Sequence, residues 1–215
     1  MSDVESRLKE WWLHKRNEIE TRLQQFKGLA GASEERIFEE MCFCILTPQS
    51  SALAADRAMR YAVGTKLLYH GSRQSIADTI ARSGVLYPEN KARFIVEARE
   101  KFIDERTRTM SIRSLLAQDP MEARENVVGN VKGLGYKEAS HFLRNIGYGG
   151  LAILDRHILR TLVEAGVLDQ LPNALSRKTY LDIEQKVLAY ARRLGIPPDA
   201  LDLVMWSAKT GRVFK

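Results

Sequence analysis

The sequence predicts an all-α protein, and three observations carry that expectation. Apolar residues recur at helical spacing along most of the chain. No stretch alternates with a period of two for long enough to require a sheet. Glycine and proline are few and fall between the helical segments, at residues 28–31, 147–150, 172 and 195–198. With 215 residues, 45% of them hydrophobic, the chain is long and apolar enough to bury a core and is not a disordered segment.

The opening segment, residues 3–26, reads as a helix with Trp11, Trp12, Ile19 and Leu23 available for packing. Residues 34–46 form the clearest stripe, with Ile37, Phe38, Met41, Cys42 and Ile45 on one face. Ser33 stands as its N-cap, acids fill the first turn, and Pro48 closes it. Further helices are expected over residues 50–69 (ending near Gly71), 73–83, 90–106, 111–118, 120–131, 137–146, 155–165, 177–194 and 198–208. There is no repeat, low-complexity tract or long linker. The natural division is a middle bundle of about residues 30–150, with residues 1–29 and 151–215 packing together as a second lobe of one 215-residue domain.

Lys and Arg outnumber Asp and Glu by 33 to 27, which leans weakly towards an anionic partner. The two cysteines, Cys42 and Cys44, lie two apart on one helix and point in different directions, so they neither bridge each other nor suffice for a zinc or iron–sulfur site. They read as reduced core residues of an intracellular protein. His14, His70 and His141 show no metal-ligand spacing. No metal and no cofactor are therefore expected. Residues 1–12 are charged throughout, and no apolar run reaches the roughly 18 residues that span a bilayer, so the expectation is a cytoplasmic protein with no membrane partner.

Residues 131–157, VKGLGYKEASHFLRNIGYGGLAILDRH, carry the most information. Gly133 and Gly135 flank a leucine between two helical segments, where glycine permits positive φ and close backbone approach. The next helix starts at Tyr136 or Lys137, so its unpaired amides and positive dipole end face the same point as the turn. Such a place suits a DNA phosphate, although a bare helix stop followed by a new helix has the same glycine pattern. Asp155 follows Lys137 by eighteen residues, at the expected start of another helix.

Gly133, Gly135, Lys137, Ala139 and Leu143 together match a helix–hairpin–helix over about residues 121–147. With the glycine-rich 147–150, the apolar 151–154 and Asp155-Arg156-His157, the chain resembles the helix–hairpin–helix superfamily of DNA glycosylases. It is most similar to the archaeal-type 8-oxoguanine DNA glycosylase/AP lyase family, over nearly its whole length. Phe43 to Ser51 resembles the superfamily's Leu-Ser-x-Gln-Thr region near the DNA. Asn90-Lys91-Ala92, followed by Ile95, resembles its Asn-x-Lys-Ala element. Trp206, Lys209-Thr210-Gly211 and a final Lys215 resemble the family's C-terminal end. The four cysteines that bind an iron–sulfur cluster in some relatives have no counterpart here, nor does the extra N-terminal β-rich domain of larger eukaryotic-type enzymes.

The resemblance implies a two-lobed fold with a DNA cleft between the lobes. It implies a monomeric repair enzyme, associated with the nucleoid, that removes 8-oxoguanine from double-stranded DNA containing an oxidised purine. It also implies an N-glycosylase and AP lyase activity through a lysine Schiff base. Lys137 takes the nucleophile role and Asp155 that of the catalytic carboxylate. The chemistry fits these residue types. A neutral amine can attack the anomeric carbon, and a carboxylate steadies the oxocarbenium-like charge. The helix start and partial burial favour a neutral amine; a close carboxylate opposes it unless Asp155 also caps the helix beginning at Arg156. Base recognition is implied for Trp206 and Lys215, whose terminal carboxylate could accept the N7–H that distinguishes 8-oxoguanine from guanine. Trp206 reads equally as core packing on Leu203. Gln49 and His157 are further DNA-contact candidates beside Gly133 and Gly135, with a turn cap and a packing role as their alternatives. Lys91, Lys132 and Arg144 read as solvated charges or part of a basic face. Two other functions stay open: the same chemistry on another oxidised base, and a non-catalytic DNA-binding module.

Overall fold

The computed structural model describes residues 3–104, 106–107 and 109–214. The described residues form helices joined by loops, and the only extended pairing among them is an isolated antiparallel bridge between Ile103 and Met110. The helices are α1 (Asp3–Gly28), α2 (Glu34–Leu46), α3 (Ala52–Gly64), α4 (Leu67–His70), α5 (Arg73–Arg82) and α6 (Pro88–Phe102), followed by α7 (Pro120–Asn130), α8 (Tyr136–Asn145), α9 (Arg156–Glu164), α10 (Arg177–Leu194) and α11 (Pro198–Thr210). No helix is long and apolar enough to cross a membrane. The chain divides into two compact units, residues 31–142 and residues 1–30 with 143–215, and the later boundary falls inside α8.

In the middle unit α2 is the central element. Ser33 caps it, its hydroxyl accepting from the Arg36 amide, and acids occupy the first turn. Its apolar face is wider than the five-residue stripe read from the sequence: every residue from Glu40 to Leu46 is buried. A helix buried on all sides takes Phe43 and Cys44 into the core as well. Buried Glu40 is held by Arg36 at 2.6 Å. Helices α3 and α6 pack on α2, and α5 packs on α3 and α6; they contribute Ala55, Ala58, Ile76, Ile80, Ala92 and Ile95 to the core.

Three expected elements differ from the sequence reading. The helix over residues 50–69 is broken: α3 stops at Gly64, the Thr65 hydroxyl donates to the Tyr61 carbonyl at 2.7 Å, and Lys66 turns left-handed before α4. The helix over 90–106 starts earlier, at Pro88, and ends at Phe102, because Asp104 accepts from the amides of Arg106 and Thr107 and nucleates a turn. The helix over 111–118 is reduced to a 3-10 turn, Arg113–Leu115. There the Glu34 carboxylate accepts from the amides of Ile112 and Arg113 at 2.6 and 3.1 Å, two charge-assisted bonds that take those amides away from a helical ladder.

In the discontinuous unit α1 lies along α11, with α9 and α10 also against α11. Leu8, Trp12, Ile19 and Phe26 meet a core that includes Leu162, Tyr180, Val187, Leu201 and Val204. The Trp11 indole donates to Ser207 at 2.9 Å, and Arg193 pairs with Glu5 at 2.7 Å.

Candidate active site

The connection between α7 and α8 belongs to the middle unit. Helix α7 ends at Asn130 and α8 starts at Tyr136, with Val131–Gly135 as the connection. Gly133 has φ +88°, and a Cβ there would stand 2.6 Å from Cδ2 of Phe94. Both the backbone conformation and the lack of space require glycine. Gly135 is exposed, and its carbonyl accepts the Ala139 amide at 2.8 Å, the first bond of α8. Lys137 and Glu138 come before that first bond, in the turn where a helix does not pair amides with its own carbonyls. Behind the turn, fully buried Arg124 donates to Ser140 at 3.1 Å and lies over the Tyr136 ring, whose hydroxyl donates to Glu125 at 2.6 Å. These contacts brace α7 against the start of α8.

Lys137 sits in that first turn. Its side chain is 23% exposed, and its ammonium pairs with Glu138 at 3.2 Å. It is thus neither a free surface lysine nor a core one. Close enough to feel its charge is Lys91 of α6, which the sequence reading treated as solvated. Lys91 is instead buried, and its ammonium donates to the carbonyls of Leu46 and Pro48 at 2.8 and 2.7 Å and to the Ser50 hydroxyl at 2.9 Å. Burial pulls the Lys91 pKa down to about 8, the Lys137 charge adds to the fall, and the Glu138 carboxylate opposes it. The acceptors belong to the turn that carries Gln49, which is exposed and left-handed at φ 56°.

Asp155 belongs to the discontinuous unit. Asp155 caps α9: its Oδ1 accepts the amides of His157 and Ile158, both at 2.8 Å, while Oδ2 accepts none from the described residues. The cap expected from the sequence is present. The chain reaches Asp155 through Leu151–Leu154, four buried residues outside any helix. Their backbone finds partners on α10, where the Tyr180 hydroxyl donates to the Ala152 carbonyl at 2.6 Å and accepts from the Leu154 amide at 3.3 Å, and Glu184 accepts the Ala152 amide at 2.8 Å. His157 is exposed.

Asp202 of α11, one helical turn before Trp206, lies in the same electrostatic neighbourhood as Asp155. Burial raises the Asp202 pKa, Arg144 at 3.4 Å opposes the rise, and the charges of Asp155 and Asp199 add to it. Arg144 is buried and stacks on Phe26, its guanidinium 4.6 Å from the ring centroid, so it is not the solvated charge expected. Lys132 is exposed and pairs with Glu97 at 3.2 Å. Trp206 is half-buried on α11, and Lys215 lies outside the described residues.

The family model for 8-oxoguanine DNA glycosylase matches residues 19–196. The chain belongs to the 8-oxoguanine DNA glycosylase family. An 8-oxoguanine DNA glycosylase/AP lyase of Fusobacterium nucleatum is 40% identical over 217 aligned residues, covering 100% of this chain and 97% of the relative. One of Korarchaeum cryptofilum, with the same name, is 42% identical over 197 residues, covering 92% and 90%. The crystal structure of a Methanocaldococcus jannaschii 8-oxoguanine glycosylase/lyase in complex with a 15mer DNA containing 8-oxoguanine aligns with TM-score 0.89 at 33% identity, over 100% of both chains. That of the Thermotoga maritima 8-oxoguanine DNA glycosylase aligns with TM-score 0.88 at 36% identity, covering 99% of this chain and 100% of that one.

For this family member the sequence locates the hairpin and both helix starts, but not what holds them. The sequence offers Lys91 only as a solvated or basic-face charge, and Arg124, Tyr180, Glu184 and Asp202 not at all. The one signal available was Lys91's place in the Asn-Lys-Ala element; the other four read as ordinary helical polar residues.

Proposed function

We propose that this protein is a bifunctional repair enzyme that excises 8-oxoguanine from double-stranded DNA and then cleaves the strand at the abasic site, acting as a monomer on the chromosome in the cytoplasm. Family membership over most of the chain, with Lys137 in the first turn of the hairpin's second helix, is the observation that carries the reading. The Lys137 amine, once freed of its proton, attacks C1′ of the damaged nucleotide. The C1′–N9 bond breaks and the base departs with its electron pair, taking up a proton. Loss of the ring oxygen from C1′ leaves an iminium between Lys137 and the opened sugar. The iminium acidifies C2′; removal of a proton there and rupture of the C3′–O bond cut the strand on its 3′ side.

Asp155 supports this sequence as the fixed charge that steadies the cationic sugar. Its cap bonds hold Oδ1 in place, with Oδ2 left to face the developing charge. Gly133 and Gly135, with the first amides of α8, are assigned to a DNA phosphate. Gln49 and His157 are assigned to further DNA contacts, and Trp206 with the terminal carboxylate of Lys215 to the flipped base.

Borohydride trapping tests the proposal. The wild-type protein should form a covalent adduct with a duplex carrying 8-oxoguanine, and Lys137→Gln should form none and leave the strand intact. Strand cutting by the variant near the wild-type rate would refute the nucleophile assignment. A lesion panel in which another oxidised base is excised faster would reassign the substrate.

A further inference from the structure

Three non-glycine residues among those described have positive φ: Gln49, Lys66 and Tyr87. Lys66 marks the break between α3 and α4. Gln49 has no such local cause. It lies in a turn closed by the Ser50 amide on the Thr47 carbonyl at 3.0 Å, with Pro48 first and Gln49 second at its centre. That is the pattern of a type II turn, whose second central position suits glycine or asparagine, not glutamine. A glutamine there stores strain and persists only where its surroundings over-determine the conformation.

Lys91 supplies that constraint. Its three donors meet the carbonyl just before the turn, the carbonyl at its centre and the hydroxyl at its end. Ser50 accepts a second bond, from the Leu86 amide at 2.9 Å, tying the turn to the loop before α6. The arrangement buries an ammonium at a cost in solvation, which a plain structural turn would not require. What it delivers is an exposed Gln49 side chain in one fixed place.

We infer that Lys91 is a positioning residue for damaged DNA: it locks the Thr47–Ser50 turn so that Gln49 is presented, already in its strained conformation, to the duplex beside the extruded nucleotide. The inference rests on the function proposed above, and adds to it a residue that touches no DNA and sets the geometry of one that does. Rigid presentation matters because a displacement of about 1 Å in a positioning group costs on the order of 100-fold in rate.

A double-mutant cycle tests it. Wild type, Lys91→Met, Gln49→Gly and the double variant are compared in single-turnover excision of 8-oxoguanine, in affinity for duplex DNA, and in thermal stability. Glycine adopts the left-handed conformation freely, so Gln49→Gly removes the presented side chain and the need for the lock together. Lys91→Met should slow excision by about 10- to 100-fold, and Gln49→Gly by a similar factor. The double variant should fall within about twofold of Gln49→Gly, since interacting positions are non-additive. The loss of thermal stability caused by Lys91→Met should persist in both backgrounds. Losses in excision that multiply would overturn the inference, as would wild-type excision by Lys91→Met. If Lys91→Met fails to fold, Ser50→Ala removes one acceptor of the lock and should show the same non-additivity on a smaller scale; multiplying losses there would also overturn it. A wild-type protein that binds duplex but excises nothing would sink the function proposal alone, leaving the cycle to be read in affinity.

Discussion

Helices α8 and α9 each present one of the two proposed reacting groups from a first turn, yet the two turns are fixed in different ways. The start of α8 is set locally. Gly133 fits only as glycine, the connection spans a few residues, and the bracing contacts of Arg124 and Tyr136 link α7 to α8 directly. The start of α9 is set from a distance. The buried run leading to Asp155 has no helix of its own and depends on Tyr180 and Glu184, 28 and 32 residues away from Ala152. The proposed nucleophile is thus placed by a tight turn, and the proposed carboxylate by the core.

The largest effect expected from this contrast is at Asp155. Asp155→Asn keeps a capping oxygen but removes the charge, so base release should slow by about 100-fold or more while the protein remains folded. Single-turnover excision checks it, and an unchanged rate would show that the α9 start is only a structural cap. Next comes a pH effect confined to the α8 side. The Lys91 pKa is pulled down to about 8 from an ordinary 10.5, so between those values the unfolded chain binds more protons than the folded one. Stability should therefore rise with pH across that window, by on the order of 2 kcal/mol relative to Lys91→Met. Denaturant unfolding of both proteins from pH 7 to 10.5 measures it; a constant difference would mean that Lys91 keeps its proton throughout.

Smaller effects separate the two kinds of anchor. Gly133→Ala forces a Cβ to 2.6 Å from the Phe94 ring at positive φ, and should cost roughly 1–3 kcal/mol and weaken DNA binding at the same time. Tyr180→Phe removes the hydroxyl that serves both Ala152 and Leu154, and should cost about 1–2 kcal/mol. Its excision rate should drop while duplex affinity holds, the reverse of the emphasis at Gly133. Equal changes in affinity for both variants would erase the distinction between the two helix starts.

The same contrast explains what could be read from the sequence. The hairpin is legible because its determinants are contiguous: two glycines, an intervening leucine, a lysine and a small Ala139 within a few positions. The Asp155 cap is legible for the same reason. The anchors of residues 151–154 are not, because Tyr180 and Glu184 occupy ordinary positions on an amphipathic helix and acquire their role only on folding. The 3-10 turn at Arg113–Leu115 was hidden likewise, since the carboxylate that fixes it comes from Glu34, 78 residues from Ile112. The break at Lys66 escaped because Leu67 and Leu68 continue the apolar pattern across it. Lys91 was misread because a lysine on a helix is ordinarily solvated, and only tertiary structure shows carbonyls converging on its ammonium.

The central helix α2 has one more bearing on how such an enzyme would work. Cys42 and Cys44 are in no disulfide and have no exposed surface, and burial pushes the Cys42 thiol well above its usual range. Oxidants attack thiolates they can reach. A member of a family that acts on an oxidised base thus keeps its own sulfhydryl groups out of reach of dissolved oxidants.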